Sequence, residues 1–372
     1  MNVLYSTENL LTRRNIAYKN YFDGRSDTLI LNKPIPVTFH DSNGGKFKFF
    51  FLVKLIIRKI SANRELIKTL KLTDNIENII ILFPGVIDLI YLTLFGRSYR
   101  NKLIFDYFVV FYQTLITDRD LIKSKTLQLL ILKLEKLIMK IPSKLIVETE
   151  EIKAYINKTI NPGSNIYVLQ TPTNENIFSY KKVEKKSIKE IDFLYWGTYI
   201  NLHGLEILIQ AAANLDDKYK IYLLGDGQEF SNINNLVKKF NLENVTFDKT
   251  LFSKNHQYEY FYDLLSKSKI AIGTLSNSEK NNIVVPSKVM EAAALKIPFI
   301  TYKSESMLSN SKDDIAYFIE EPLVKNLEKR MREAIKRHED KSDFIQINAA
   351  YDWFHSYGTQ SIFNHSLFGI LR

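Results

Sequence analysis

Residues 191–228 read IDFLYWGTYINLHGLEILIQAAANLDDKYKIYLLGDGQ, and they carry the pattern that decides the fold. The apolar run over 191–196 is typical of a buried strand, and the apolar residues of 204–215 recur at helical spacing. A second apolar run over 220–224 ends at Gly225-Asp226-Gly227. Two strands joined through a helix require a crossover connection, which predicts that they are parallel neighbours. The stretch therefore indicates an α/β fold.

The same alternation of strand and helix continues toward the C-terminus. The further predicted elements are helix 231–240, strand 245–247, helix 258–266, strand 270–273, helix 287–294 and strand 299–301. Because alternating strands and helices indicate a parallel sheet covered by helices, the second half is predicted to be a Rossmann-like domain.

The first half shows a looser version of this pattern. Its predicted strands are 2–5, 28–31, 36–39, 79–83, 102–105, 144–147 and 166–169, and its predicted helices include 46–60, 127–141 and 148–157. A lysine-rich stretch over 180–189 separates the two patterns and is predicted to link two domains.

The amino-acid composition excludes several kinds of catalytic and metal-binding site. The chain has 372 residues with 51 Lys and Arg, 41 Asp and Glu, and no Cys. Thiolate catalysis, Cys-ligated zinc, iron–sulfur clusters and disulfides are therefore excluded, and no HExxH or similar spacing predicts a His-based metal site. Residues 1–180 carry 25 Lys and Arg against 16 Asp and Glu, whereas 181–372 carry 26 against 25. This one-sided charge favours a polyanionic or phosphorylated partner, or a lysine-rich solubility surface.

Polar loops follow the strands of the second half, at the edge where ligands bind in open α/β sheets. Glycines let the backbone approach a diphosphate, and the free N–H groups of a helix start favour anions. The loops are Gly197-Thr198, His203-Gly204, Gly225-Asp226-Gly227, residues 274–280, and Pro286-Ser287-Lys288 ahead of Glu291. A tight turn or a helix cap explains each of them singly, but their order and spacing together are much more specific.

Those loops lie in the segments WGTYINLHGLEILIQAA, YLLGDGQ, NVTF and SKSKIAIGTLSNSEKNNIVVPSKVMEAAALKIPFIT of residues 190–302. The set resembles the nucleotide-sugar-binding domain of GT-B glycosyltransferases, most closely the retaining family-4 "group 1" enzymes. KLIFDYFVVFYQTLITDRDL and SKLIVETEEIKAY, within 102–157, resemble the acceptor-side domain of a subset of them. The resemblance implies two Rossmann-like domains that face a central cleft. The implied ranges are 1–180 for the acceptor side, 181–345 for the nucleotide-sugar side, and 346–372 for a helical segment that crosses back to the first domain.

The resemblance also implies a set of donor-binding residues. They are Gly197, Thr198, His203, Gly204, Gly225, Asp226, Gly227, Thr274, Lys280, Ser287, Lys288 and Glu291. Most family members have Gly-Arg at the first loop and Lys-Gly at the second, so Lys288, and after it Lys280, is expected at the diphosphate. Glu291 matches the second glutamate of the family's Glu-x7-Glu motif and is expected at the ribose. Ile283 stands in the place of the first glutamate.

For the acceptor side, Asp106 and His40 are the catalytic candidates that would orient an acceptor hydroxyl. A turn cap and a plain loop histidine are their alternative roles. The acceptor-binding candidates are Asn9, Arg13 and Arg14, although the two arginines are equally well explained as surface charges. The resemblance implies that sugars are transferred with retention and without a bound metal. No cofactor and no metal are therefore expected.

Two apolar segments of the basic half, 46–60 and 127–141, have two interpretations. Both can be core helices that pack on the first sheet. Alternatively, Phe50, Phe51 and Leu55 enter a membrane surface while nearby cations meet anionic headgroups. Those cations are Lys46, Lys48, Lys54, Arg58 and Lys59. The N-terminus lacks the pattern of a signal peptide and no apolar stretch could span a bilayer. The expected location is thus the cytoplasm, with peripheral attachment to the inner face of the membrane as a further hypothesis.

The leading hypothesis is a glycosyltransferase that uses a UDP- or GDP-sugar and a glycan or lipid-linked acceptor in cell-surface polysaccharide or glycolipid synthesis. One alternative is another GT-B enzyme, such as a sugar-nucleotide epimerase. It would need a cluster of acidic and His residues that the sequence does not show. A basic nucleic-acid-binding protein is the alternative from a different class, but none of its usual motifs is present.

Overall fold

The computed structural model describes residues 1–7, 12–34, 49–118, 122–163, 165–183, 189–250, 258–311 and 313–372. The chain forms two compact units. Unit 1 comprises Met1–Thr171 with Phe363–Arg372, and unit 2 comprises Pro172–Ile362. The boundary thus lies before the predicted linker 180–189, and the predicted C-terminal segment 346–372 is divided between the units.

Unit 1 is built on a parallel sheet of six strands. The strands are β1 (Asn2–Ser6), β2 (Thr28–Asn32), β3 (Asn78–Ile81), β4 (Leu103–Asp106), β5 (Lys144–Val147) and β6 (Asn165–Val168). Their order is β2-β1-β3-β4-β5-β6, and every neighbouring pair is parallel. All six correspond to strands predicted from apolar runs, while the predicted strand 36–39 lies outside the described residues.

The helices of unit 1 connect these strands. They are α1 (Arg13–Phe22), α2 (Phe49–Lys71), α3 (Val86–Phe95), α4 (Lys125–Ile138) and α5 (Glu150–Thr159). The hydroxyls of Thr12 and Thr149 cap α1 and α5 by accepting a hydrogen bond from a first-turn N–H. Because parallel strands are joined by right-handed crossovers, the strand order places α2 to α5 on one face of the sheet and α1 on the other.

The last helix of the chain completes unit 1. Helix α15 (Gln360–Leu371) buries Phe363, Leu367 and Ile370 in a core shared with β1, β3, β4 and α1. Tyr18 of α1 meets the Phe363 ring edge-on, with 5.2 Å between ring centroids. The predicted return of a C-terminal helix to the first domain is confirmed.

Unit 2 is a second parallel sheet of six strands. The strands are β7 (Ile191–Trp196), β8 (Ile221–Leu224), β9 (Val245–Asp248), β10 (Ser268–Ile272), β11 (Phe299–Tyr302) and β12 (Tyr317–Ile319). The order β12-β11-β10-β7-β8-β9 is that of the doubly wound Rossmann fold. Two Rossmann-like α/β units are therefore confirmed.

Helices cover both faces of the second sheet. They are α6 (Tyr180–Val183), α7 (Leu205–Ala212), α8 (Phe230–Lys239), α9 (Tyr258–Lys267), α10 (Glu279–Ile283), α11 (Ser287–Ala294), α12 (Glu305–Asn310), α13 (Val324–Glu339) and α14 (Phe344–Tyr357). Strand β7 shows why both faces need covering. Its side chains alternate between two cores, Phe193 and Tyr195 in one and Leu194 and Trp196 in the other. A strand buried on both faces reads as a continuous apolar run.

Helix α4 departs from its prediction as a core helix. Its apolar stripe Leu127, Leu130 and Leu134 is exposed, whereas Glu135 is buried. A second correction concerns Lys59, which was predicted to meet lipid headgroups. It is buried on α2, where its ammonium contacts Asp88 Oδ2 at 2.9 Å. The hydrophobic periodicity identified both helices but did not determine which side of each faces the sheet.

Candidate functional site

The strand order of unit 2 creates one position where the chain reverses its direction of winding. From β7 the chain proceeds to β8 and β9 on one side and later returns to β10 on the other. A crevice forms outside the carboxyl ends of the strands at such a switch point, and open α/β sheets bind ligands there. The loops after β7, β8 and β10 carry Gly197, Gly225 and Thr274. The predicted loops therefore meet at one edge of the sheet.

Glycines allow the first two loops to pack backbone against backbone. Gly197 has φ 134°, and a Cβ there would lie 2.8 Å from Lys288 Cε. Gly225 has φ 152°, and a Cβ there would lie 1.9 Å from the carbonyl oxygen of Gly197. Gly227 is packed as closely on the backbone of Tyr199. These glycines are required by close packing, and the space at Gly197 is taken by the lysine expected to bind phosphate.

Lys288 is the most notable side chain of the site. It is 7% exposed, lies in the first turn of α11, and places its ammonium 3.3 Å from His203 Nε2. The same nitrogen lies 4.9 Å from the centroid of the Tyr195 ring, a cation–π contact. On its other side, His203 Nδ1 is 2.7 Å from both the Thr198 carbonyl oxygen and the Tyr195 hydroxyl. The ammonium group thus lies between the His203 imidazole and the Tyr195 ring.

The electrostatics of this pair are unusual. Burial lowers the pKa of Lys288 to about 8, and only Glu291 acts in the opposite direction. Burial, followed by the charge of Lys288, lowers the pKa of His203 to about 3, and Lys280 contributes in the same sense. The imidazole is therefore neutral at pH 7. Its partners assign the proton to Nδ1, facing the Thr198 carbonyl, so that Nε2 accepts from Lys288. An anion bound at the ammonium would offset the cost of burying its charge.

Glu291 follows Lys288 by one turn of α11. Its carboxylate accepts a hydrogen bond from Trp196 Nε1 at 2.7 Å. Trp196, the last residue of β7, thus holds in place the carboxylate that is expected at the ribose. Ser287 is the first residue of α11 and is exposed, and Pro286 precedes it as N-cap. The start of α11 therefore presents backbone N–H groups close to Lys288, an arrangement that favours anions.

The loop after β10 is held by its own hydrogen bonds. Thr274 is buried, and its carbonyl oxygen accepts from Tyr302 N at 2.7 Å and from Thr301 Oγ1 at 3.1 Å. Asn281 of α10 donates to the Leu202 carbonyl oxygen at 2.8 Å and thereby joins this loop to the His203 loop. Lys280 precedes Asn281 and is half-buried. Thr274 thus contributes to the loop's framework, and Lys280 adds positive charge near His203.

Two predicted donor residues lie in turns. Gly204 has φ 67° and begins α7, and a Cβ there would lie 3.0 Å from the Leu275 backbone. Asp226 forms an ion pair with Lys249 at 3.2 Å, and its carboxylate also accepts from Gly227 N at 2.9 Å. Both residues therefore have a role in holding the loops together.

Trp196 and Asn281 were not predicted from the sequence. Trp196 stands directly before Gly197-Thr198 at a strand's carboxyl end, which is a signal that could have identified it. Asn281 offered no such signal, because its partner carbonyl at Leu202 is 79 residues away in the chain.

The acceptor-side predictions need correction. Arg14 Nη2 contacts Asp106 Oδ1 at 2.6 Å, with the two side chains 2% and 0% exposed. The Arg14 Nε donates to both Asp106 oxygens at 2.9 Å, and Tyr18 donates its hydroxyl proton to the same carboxylate at 3.1 Å. A closed, buried pair of this kind fastens α1 to β4 and offers no surface to an acceptor. Arg14 and Asp106 are therefore structural in this geometry.

The remaining candidates of unit 1 are less defined. Arg13 is half-buried at the start of α1. Asn9 and His40 lie outside the described residues. Within the described parts of the chain, no group of three or more His, Asp or Glu side chains could hold a metal ion. The same residues contain no helix long and apolar enough to cross a membrane.

Comparison with known proteins agrees with this architecture. Residues 176–351 match the glycosyl transferases group 1 family. A sucrose-phosphate synthase from Thermosynechococcus elongatus is similar in structure with a TM-score of 0.73 and 13% identity, over 99% of this chain and 97% of that chain. HepE from Anabaena, in complex with UDP, has a TM-score of 0.67 and 12% identity, over 100% and 98%. S. aureus TarM has a TM-score of 0.60 and 15% identity, over 85% of this chain and 59% of that chain.

No curated protein matches the chain in sequence at a significant level. At such low identities the structural likenesses establish the fold. The family match adds the chemistry, because it spans the loops at the switch point and all of α11. The chain is a glycosyltransferase of the GT-B fold, and its residues 176–351 match the glycosyl transferases group 1 family.

Proposed function

We propose that the enzyme transfers a sugar from a UDP- or GDP-sugar to a glycan or lipid-linked acceptor, with retention and without a metal ion, in cell-surface polysaccharide or glycolipid synthesis. The observation that carries the donor part is the buried Lys288 ammonium at the start of α11, with the neutral His203 imidazole beside it. HepE has been solved with UDP and with UDP-glucose, and TarM with UDP and alpha-GlcNAc-glycerol. These neighbours favour a UDP-linked donor and a glycan-type acceptor.

The proposed chemistry follows from charge. The bond between the anomeric carbon and the β-phosphate oxygen breaks, and its electron pair leaves with the diphosphate. Lys288 and the N–H groups of α11 stabilise this negative charge, and Glu291 accepts hydrogen bonds from the ribose. An acceptor hydroxyl forms the new bond on the face that the diphosphate leaves, and its proton passes to the departing phosphate. The residues that present this hydroxyl belong to the acceptor side, where neither Arg14 nor Asp106 is accessible.

The setting is also part of the proposal. We place the enzyme in the cytoplasm, peripherally on the inner face of the membrane, where lipid-linked acceptors are available. The positive charge of residues 1–180 supports this location, since anionic lipids attract basic surfaces.

A donor-hydrolysis screen across UDP- and GDP-sugars tests the donor assignment. Lys288→Ala should lower turnover of the preferred donor by about 10²–10³-fold, because one stabilising group for the leaving charge is lost. Glu291→Ala should mainly raise KM. Lys238→Ala removes an exposed lysine of α8 and should leave both constants unchanged.

The same samples distinguish the alternative functions. Release of free sugar supports a transferase, whereas accumulation of an epimerised nucleotide sugar would support an epimerase. Thermal stabilisation by an oligonucleotide but by neither UDP nor GDP would support the nucleic-acid-binding alternative. The anomeric configuration of a transferred sugar, read by NMR, tests retention.

A further inference from the structure

Helix α4 (Lys125–Ile138) exposes a row of leucines that a core helix would bury. Leu127, Leu130, Leu134 and Leu137 are between 44% and 64% exposed, whereas Glu135 is 4% exposed. At about 100° per residue, these four leucines fall within about 80° of one another and form a continuous stripe along the helix. A row of exposed leucines on a surface helix marks an interaction site.

Glu135 explains why α4 keeps this orientation. Its carboxylate accepts hydrogen bonds from Phe111 N at 2.7 Å and Tyr112 N at 3.0 Å, and from the hydroxyl of the buried Tyr107. Burial raises the pKa of the Glu135 carboxyl, and these hydrogen bonds oppose the shift. Turning the leucines inward would expose Glu135 and leave those donors without their acceptor, which is costly for buried groups. The leucine stripe is therefore fixed outward by a polar anchor.

The charges around the stripe are of one sign. Beside the leucines, α4 and its C-terminal turn carry Lys125, Lys133, Lys136 and Lys140. Glu135 is the only acid in the segment 122–141, and it is buried. On the helical wheel the four lysines occupy the sector next to the leucine stripe, which they share with Leu129, itself 58% exposed. The charged side chains that α4 exposes are thus all lysines, and they stand beside the leucine stripe.

This pattern selects one kind of partner. A second copy would place the same patch against itself, since a two-fold interface pairs identical surfaces, and two rows of lysines would then repel. A bilayer with anionic headgroups offers apolar chains to the leucines and negative charge to the lysines. Leu94 and Phe95 of α3 are 56% and 64% exposed, and the crossover rule places α3 on the same face of the sheet as α4.

We propose that α4 lies flat in the headgroup region of a membrane that contains anionic lipids, with its leucine stripe inserted and its lysines at the lipid phosphates. The inference deepens the proposed function by naming the docking element. The biological purpose of this docking rests on the proposed function, whereas the docking itself follows from the surface of α4.

Vesicle sedimentation of the full chain tests the proposal. We expect binding to vesicles of equal parts phosphatidylglycerol and phosphatidylcholine at low salt, and much weaker binding to phosphatidylcholine alone. The variant Leu130→Ser/Leu134→Ser/Leu137→Ser should lose at least about tenfold in affinity, because three inserted side chains are removed. The variant Lys133→Gln/Lys136→Gln/Lys140→Gln should lose about fivefold for each lysine, and only toward anionic vesicles.

Controls separate docking from folding and from catalysis. Leu308→Ser/Leu323→Ser removes two exposed leucines of unit 2 and should leave vesicle binding unchanged. The leucine variant should keep the far-UV spectrum and melting temperature of the parent, because its substituted side chains are already solvated, and it should keep donor hydrolysis without vesicles. If the parent chain bound vesicles but hydrolysed no sugar donor, the proposed function would be refuted and the membrane-docking inference would still hold.

Two results would overturn the proposal. One is equal binding of the parent and the triple-leucine variant to anionic vesicles, or no binding by the parent. The other is a dimer, seen by light scattering, that the leucine substitutions dissociate while vesicle binding is absent. That second result would assign the stripe to self-association.

Discussion

Arg14 in unit 1 and Lys288 in unit 2 are 2% and 7% exposed, so both place a cation in a protein interior. Their neighbours differ. Arg14 has the carboxylate of Asp106 at 2.6 Å, and Lys59 of the same unit has Asp88 at 2.9 Å. Lys288 has instead a neutral imidazole at 3.3 Å. A buried cation with a carboxylate partner fastens elements together, whereas Lys288 lacks such compensation from its nearest neighbour and is suited to a ligand's charge.

The pKa directions express the same contrast. Burial acts to lower the pKa of Arg14, but Asp106, Tyr18 and Glu148 together outweigh it and the pKa is raised. For Lys288, burial prevails and the pKa falls to about 8. We therefore expect that loss of Arg14 lowers the stability of the fold, and that loss of Lys288 lowers activity toward the sugar donor.

The largest expected effect is on stability in unit 1. Arg14→Met should lower the free energy of unfolding by about 3–5 kcal/mol, because it leaves the Asp106 carboxylate buried without its partner. Urea unfolding followed by circular dichroism measures the change. The double variant Arg14→Met/Asp106→Leu should recover much of the loss, since neither charge remains. A change below about 1 kcal/mol for the single variant would contradict a closed structural pair.

The second prediction uses pH to examine Lys288. Its pKa of about 8 in the folded chain lies below the ordinary 10.5. Between these pH values the unfolded chain binds more protons than the folded chain, so the contribution of this lysine to stability rises with pH. Below pH 8 the lysine is charged in both states, and the full cost of burying its charge lowers the stability. The advantage of Lys288→Met over the parent should therefore shrink by up to about 3 kcal/mol from pH 7 to pH 10.5.

Urea titrations of both proteins across this range measure that difference. Calorimetry supplies an independent readout: near pH 9, UDP binding to the parent should take up a proton, because the diphosphate stabilises the charged ammonium. Lys288→Met should show no uptake. If the stability difference between the two proteins did not vary with pH, the buried charge of Lys288 would have to be balanced by other groups in the folded chain.

The smallest expected effect concerns His203, a positioning residue in this geometry. His203→Ala should weaken donor affinity about tenfold, because Lys288 loses its hydrogen-bond acceptor and the Thr198 carbonyl oxygen keeps only the Tyr195 hydroxyl as a donor. His203→Gln can supply both groups and should stay within about threefold of the parent. Donor-hydrolysis kinetics, separated into KM and kcat, measure both. Equal losses for the two variants would argue against a positioning role.

Much of the fold could be predicted from local sequence. Strand β7 was predicted with its observed bounds, since a strand buried on both faces is a continuous apolar run. The second half was predicted less well after residue 301. Strand β12 is only three residues long, and so short a run carries no periodicity that separates it from a loop.

The candidate site was predicted in part, for a related reason. Gly197, Gly225 and Lys288 stand at strand ends or at a helix start, positions that local patterns reveal. The roles of Arg14 and Asp106 were not predictable, because 92 residues separate them in the chain and no local signal shows that they pair.

By itself, the sequence determined two parallel α/β units, the loops at the second unit's switch point, and the absence of cysteine chemistry, because these follow from residue type and short-range periodicity. Only the tertiary structure decided which cations are paired and which side of α4 faces outward. Amphipathic spacing shows that a helix has two sides. The side that is buried depends on partners such as Tyr107 and Glu135, which only the folded chain brings together.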